Sequence, residues 1–198
     1  MIKFKNLNQE RPYRRFFYLY NKAENNKQPF IEAFSLSSYD NKNNIVDSRY
    51  VNLKYIENNS WIFFSNYHSP KAFQFKEHNQ ISVLFFWNTI NTQVRVKAKI
   101  KKVNKQISNE HFKKRSREKN AIAISSKQSK TIKSYDEVKR KYQHALKAND
   151  LENCPDYWGG YSFTPYYFEF WEGHESRINK REIFEKIDDV WEQSFLQP

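Results

Sequence analysis

Hydroxyl and cationic side chains gather where a strand-like run gives way to a helical one. The run 61–65 ends at Ser65, and Ser69-Pro70-Lys71 opens a helical stretch, with Ser69 at the N-cap and Pro70 at the first helical position. A helix start carries free N–H groups and partial positive charge, and the Ser and Lys side chains add donors, which makes this segment a candidate phosphate site. The plain alternative is an ordinary capped helix with a surface lysine. Arg49 and Lys54 lie on a neighbouring strand-like run. Their spacing of five puts them on opposite faces of a regular strand. A bulge or a strand end must therefore bring both to one site.

A second candidate is the basic block 95–119, which holds eleven Lys or Arg against Glu110 and Glu118. A nucleic-acid footprint would use such a stripe. A pocket for a small phosphorylated ligand would turn only Arg115 and one or two neighbours inward. The ordinary alternative is a solvated lysine face, and Lys97, Lys99 and Lys101, alternating outward, fit it. Phe112 is the only Phe, Tyr or Trp in the block. That counts against single-stranded nucleic acid, which needs stacking platforms.

The third candidate is WGGYSFTPYYFEFWEGHESRINKR (158–181), which contains all three glycines of the chain. Gly159-Gly160 permits a tight turn or a close backbone approach. Glu169, Trp171, Arg177 and Arg181 are placed to line a site for a flat, anionic ligand, against the alternative of a strand that packs its aromatics inward.

Other chemistries are poorly represented. The histidines (68, 78, 111, 144 and 174) form no HxH or HExxH pair, and no Gly-x-Ser-x-Gly elbow exists. The single cysteine, Cys154, excludes an internal disulfide and a multi-thiolate zinc site. No glycine precedes Trp158, so neither GxGxxG nor a Walker loop is present. An enzyme with these residues would borrow its chemistry from a bound cofactor.

The elements that must position these groups read as a β-rich domain. Strand-like runs cover 30–37, 47–55, 60–65, 81–87, 93–103 and 161–171, with turns at 39–44 and 57–59. The 81–87 run is nearly all apolar, as expected of a strand buried on both faces. Helices are expected around 15–23, after Ser69, after Ser108 as a cap, and over 135–148 behind a Ser134/Glu137 capping box. The tail reads as a helix or as a hairpin turning at Asp188-Asp189. A small barrel is the expected closure. The 198 residues suit one domain, and 35 aromatics among them argue against disorder. The net charge of +12 comes mostly from the 95–119 block. No segment reaches signal-peptide or membrane-spanning character, so a soluble, cytoplasmic protein is expected.

Taken together and in order, RYVNLK (49–54), FFSNYHSPKAFQF (63–75), QVRV (93–96), SSKQS (125–129) and the 158–181 segment resemble the pyridoxamine/pyridoxine 5′-phosphate oxidase family from about residue 30 to the C-terminus. The resemblance implies a homodimeric FMN-binding split β-barrel, mainly β with peripheral helices. It would form a single domain over 1–198, with 1–28 as a partly helical N-terminal extension. It implies two FMN clefts at the dimer interface and resolves the tail as a hairpin.

The cofactor-binding positions it implies are Arg49, Lys54, Phe64, Ser65, Lys71, Gln93, Gln128, Ser129, Trp171 and Arg181, some of them supplied by the second subunit. The substrate positions are Lys54, His111, Arg115, Lys119, Arg177 and Asn179, with Arg177 beside the reacting carbon. The reaction implied is hydride transfer from the C4′ carbon of pyridoxine or pyridoxamine 5′-phosphate to flavin N5, with O2 reduced to H2O2. Four positions depart from the family pattern: Pro70 for arginine, His111 for tyrosine, Lys119 for serine and Asn179 for histidine. The alternatives are an oxidase of another flat compound, of the phenazine-biosynthesis type, which SSKQSKTI and the closing LQP resemble, and a non-catalytic FMN- or pyridoxal-phosphate-binding protein. Neither a nucleic-acid nor a membrane partner is expected.

Overall fold

A computed structural model describes residues 1–147 and 150–198. The strands are β1 (Lys3–Leu7), β2 (Ala33–Asp40), β3 (Ile45–Asn52), β4 (Tyr55–Asn58), β5 (Ser60–Asn66), β6 (Gln80–Trp87), β7 (Thr92–Lys102), β8 (Trp158–Glu172), β9 (Lys180–Ile187) and β10 (Val190–Leu196). The helices are α1 (Arg11–Asn25), α2 (Pro70–Glu77), α3 (Lys105–Lys113), α4 (Arg117–Ser125) and α5 (Tyr135–Leu146).

One sheet runs in the order β1-β4-β5-β8-β7-β6-β2-β3, and β9 and β10 continue from β8 as a hairpin. The path ends at β1 and β3, which do not pair with each other among the described residues. The closure expected from the strand count is therefore absent, and the sheet is split. Strand β8 switches partner along its length. Trp158–Phe163 pair with β5, and Tyr167–Glu172 pair with β9. Pro165, which has no N–H to give, falls in the gap between the two partners, next to a bulge opposite Lys97/Ala98.

The core is largely aromatic. Phe34, Phe63, Phe85, Phe163, Phe168 and Trp61 are fully buried. Helix α1 covers them, with Phe16 4.4 Å from Trp61 and 5.3 Å from Phe85, and Tyr13 5.4 Å from Phe168. The N-terminal segment thus contributes a core helix, and β1 pairs in parallel with β4.

Several local expectations are corrected. The 47–55 run is not one strand: it breaks at Leu53-Lys54, between β3 and β4. Strand β6 buries only one face, since Ser82 and Phe86 are exposed while Ile81, Val83, Phe85 and Trp87 are buried. Its apolar run misled because Phe86 lies on the outer side. Ser108 does not cap α3. Asn104 does, accepting from the Ile107 N–H, and Ser108 is buried inside the helix, where its hydroxyl accepts from the Gly160 N–H at 3.1 Å. Ser134 does cap α5, but the Glu137 carboxylate pairs with Lys141 at 2.7 Å. The expected helix end at Ala148 lies outside the described residues. The tail is a hairpin, with Asp188 and Asp189 both at positive φ (46° and 64°), as a two-residue type I′ turn requires.

Candidate functional site

A cleft of about 770 Å³ opens where β3, β5, α2, α3 and α4 meet. Arg49, Lys54, Phe64, Ser65, Lys71, His111, Arg115, Lys119, Gln128 and Ser129 all line it. The structure thus brings together the phosphate candidate and the inward part of the basic block. Lys54 reaches the same cleft as Arg49 because β3 has ended before it, at Asn52. Lys97, Lys99 and Lys101 stay outside and exposed.

Lys71 is the central cation. It is the second residue of α2 and 94% buried, and its ammonium meets only hydroxyls, Ser69 Oγ at 3.3 Å and Ser65 Oγ at 3.4 Å. No carboxylate pairs with it among the described residues. Burial first, and the Arg49 charge second, bring its pKa down to about 8. Ser69 occupies the N-cap position, but its hydroxyl donates to the Asn66 carbonyl rather than capping the helix. A desolvated ammonium with neutral partners at a helix start suits a dianionic phosphate ester.

The opposite wall is a stack of rings. His111 lies 3.7 Å from Phe64 with planes 7° apart, Trp158 lies 5.4 Å from Phe64, and the Arg115 guanidinium sits 4.4 Å over the Trp158 ring. His111 Nδ1 shares a hydrogen bond with Tyr55 OH at 2.8 Å. Burial, followed by Arg115 and Lys54, holds the His111 pKa down to about 4, so the imidazole is neutral at pH 7. Arg115 donates from Nη2 to the Lys119 carbonyl at 2.8 Å, while its buried Nη1 has no partner among the described residues. Trp158 enters this wall because the β8 backbone comes close to its neighbours. A Cβ on Gly159 would lie 2.2 Å from Tyr67 OH, and one on Gly160 would lie 2.7 Å from a Val103 methyl. The glycine pair thus serves a close approach, not a turn.

Gln93, Trp171, Arg177, Asn179 and Arg181 do not line this cleft. Gln93 pairs with Trp171, and Trp171 with Arg181, so these three form a row across β7, β8 and β9. Glu169 does not line this cleft either. It is buried and consumed by cations, accepting from Arg181 Nε and Arg95 Nη1 at 2.8 Å each. Its charge holds the Arg181 pKa above the usual arginine value, with the hydrogen bond as the largest cause. Arg177 is exposed, with a left-handed backbone (φ 61°), and Asn179 Oδ1 accepts from the His174 N–H at 3.0 Å, tying that loop.

Sequence reasoning missed Ser38 and Gln74, which hold Arg49 from two other elements. No spacing signals them, because the contacts join residues far apart in the chain. Among the described residues no group of three or more His, Cys, Asp or Glu forms a metal site, and no helix is long and apolar enough to cross a membrane.

Residues 28–147 match the family model described as pyridoxamine 5′-phosphate oxidase, and residues 158–198 match the pyridoxine 5′-phosphate oxidase C-terminal dimerisation region. A pyridoxine/pyridoxamine 5′-phosphate oxidase of Colwellia psychrerythraea is 35% identical over 181 residues, covering 89% of this chain and 82% of the relative. One from Pseudomonas syringae is 31% identical over 193 residues, covering 96% and 89%. Among solved structures, PhzG of Burkholderia lata in complex with tetrahydrophenazine-1-carboxylic acid has a TM-score of 0.89 at 20% identity, covering 94% of this chain and 92% of that one. A pyridoxamine 5′-phosphate oxidase-related, FMN-binding protein of Nostoc punctiforme has a TM-score of 0.79 at 13% identity, covering 96% and 100%. The solved structures show a shared fold, and the family models and sequence relatives show descent: the chain belongs to the pyridoxamine/pyridoxine 5′-phosphate oxidase family of FMN-dependent oxidases.

Proposed function

We propose that this chain oxidises pyridoxine or pyridoxamine 5′-phosphate with FMN, as a homodimer, in the cytoplasm. The observation that carries this reading is the buried Lys71 ammonium, which is flanked by Arg49, faces the Ser65 and Ser69 hydroxyls and pairs with no carboxylate among the described residues. That donor set fits the phosphate of FMN. When bound, FMN supplies the hydride acceptor at N5 and returns the electrons to O2 as H2O2.

The chain's own residues bind and orient. Arg49, Lys71 and Ser65 hold the flavin phosphate, and Phe64, Lys54, Gln128 and Ser129 line the cleft beside it. The row Gln93, Trp171 and Arg181 lies on the segment that matches the dimerisation region or pairs with it, which supports its completing the partner's cleft. Lys54, Arg115, Lys119 and His111 take the substrate phosphate. Arg115 Nη1, buried and unpaired among the described residues, is the best placed of these. Arg177 lies beside the reacting carbon. Asn179 can hydrogen-bond but cannot carry a proton near neutral pH. Fixing donor and acceptor in one orientation is the protein's main contribution to rate.

A second reading is favoured by His111 and Asn179, both committed to internal partners. It is a related flavin oxidase acting on another flat anion. The deciding experiment is anaerobic. The purified protein is expected to be yellow, and pyridoxine or pyridoxamine phosphate is expected to bleach the flavin band, with peroxide released on admitting air. A protein that stays colourless with FMN overturns the proposal. Full flavin occupancy with no bleaching by either vitamin phosphate moves it to the second reading.

A further inference from the structure

Arg49 sits on β3, and the hydrogen bonds that fix its guanidinium come from other elements. Its Nη1 donates to the Leu36 carbonyl at 3.2 Å and to Ser38 Oγ at 2.6 Å, both on β2. Its Nη2 donates to Gln74 Oε1 at 3.3 Å, on α2. Gln74 is 97% buried and fully engaged. Oε1 also accepts from the Ser38 hydroxyl at 2.5 Å, and Nε2 donates to Asp47 Oδ2 at 2.7 Å. These partners leave one orientation for the amide. Reversed, it would turn its NH2 toward a guanidinium and its oxygen toward a carboxylate. Among the described residues Asp47 is the acid paired with Arg49, at 3.6 Å, and it lines the same cleft. Were it free to swing fully onto Arg49, it would neutralise the cation that the ligand needs.

We infer that Gln74, with Ser38, is a positioning residue for the cofactor phosphate: it aims Arg49 into the cleft and holds the Asp47 carboxylate back from it. This rests on the flavin reading above and deepens it. Gln74 lies three residues after Lys71 on the same helix, so one element carries one phosphate cation and orients the other. The geometry also bears on Pro70, which stands where the family has a third cation. With fewer cations, more depends on how the remaining two are held.

The test compares FMN with riboflavin, which has the same ring system and no phosphate. Flavin fluorescence titrations on the apo-protein would measure both affinities for the native chain, Gln74→Met and Ser38→Ala. Losing a hydrogen bond to a charged group predicts FMN binding weaker by about tenfold or more in Gln74→Met, and somewhat less in Ser38→Ala. Riboflavin affinity is expected to stay within about twofold. Asp47→Asn in the Gln74→Met background is expected to restore part of the FMN affinity, because the freed carboxylate is then gone. An equal loss for both flavins, or no loss in a folded variant, overturns the positioning role. Should Gln74→Met fail to fold, the same ratio in Ser38→Ala decides. A native chain that binds neither flavin overturns the functional reading itself, a result distinct from either.

Discussion

Two clusters of cations in this molecule solve opposite problems. Around Glu169, Arg95 and Arg181 are matched to a buried carboxylate at 2.8 Å each, and Tyr167 adds a hydrogen bond at 3.3 Å. At Lys71, a more deeply buried cation is given only hydroxyls. In the first arrangement the buried carboxylate is matched by its cations, and it makes Arg181 harder to deprotonate. The second is incomplete, and the deficit appears as a lysine whose pKa falls to about 8. A buried charge without a counter-charge is costly. Where a fold retains one, the missing anion indicates what the site binds.

The largest effect expected from breaking this contrast is on flavin affinity. Lys71→Met should weaken FMN binding roughly 100-fold by removing a charge-assisted contact, while riboflavin binding and thermal stability change little. A matching loss of riboflavin affinity would place the lysine in the scaffold instead. Arg177→Ala is expected next in size. It should lower turnover by about tenfold or more, as loss of an orienting group does, with FMN affinity almost unchanged. Stopped-flow reduction alongside a flavin titration separates the two quantities.

Glu169→Gln attacks the complete cluster. It should cost stability, roughly 1–3 kcal/mol in urea unfolding, discounted because Arg95 is half exposed. A variant that keeps its full stability would erase the distinction between the clusters.

The smallest effect is a proton count. The folded Lys71 has a pKa below its unfolded value of about 10.4. Between pH 8 and that value the unfolded chain binds more protons than the folded one, so apo-protein stability should rise with pH across this window. A bound phosphate reverses the shift. FMN binding should therefore take up more proton through this group at pH 8.5 than at pH 7. Calorimetry in buffers of different ionisation enthalpy measures it. Equal uptake at both pH values would assign the proton elsewhere.

Much of this was legible in the chain. The Ser69-Pro70-Lys71 helix start, the alternation of 93–103 and the Asp188-Asp189 turn are local signals, and the structure has each of them. What could not be read depends on contacts between distant segments. Glu169 looked like a ligand-lining acid because nothing along β8 shows that Arg95 and Arg181 flank it from neighbouring strands. Phe86 looked like core because a run of apolar letters does not say which side faces out. Ser108 looked like a cap, yet its hydroxyl serves the Gly160 N–H on another element. His111 was legible as a cleft residue but not as a neutral one, because its ring stack draws on Phe64 and Trp158.

The irregularity beside Pro165 has a consequence for parity. Side chains alternate sides along a strand, and an odd number of steps separates Trp158 from Trp171. In an even-paced β8 the two tryptophans would face opposite ways. The extra residue at the bulge resets the count, so both point away from the core, as Phe64 and Glu169 beside them do. Deleting Tyr166 would leave twelve steps, so a strand without the bulge would still hold both tryptophans on one side. Straightening the bulge with every residue kept would instead turn one half of β8 inside out, sacrificing either the cleft wall or the row at the far end.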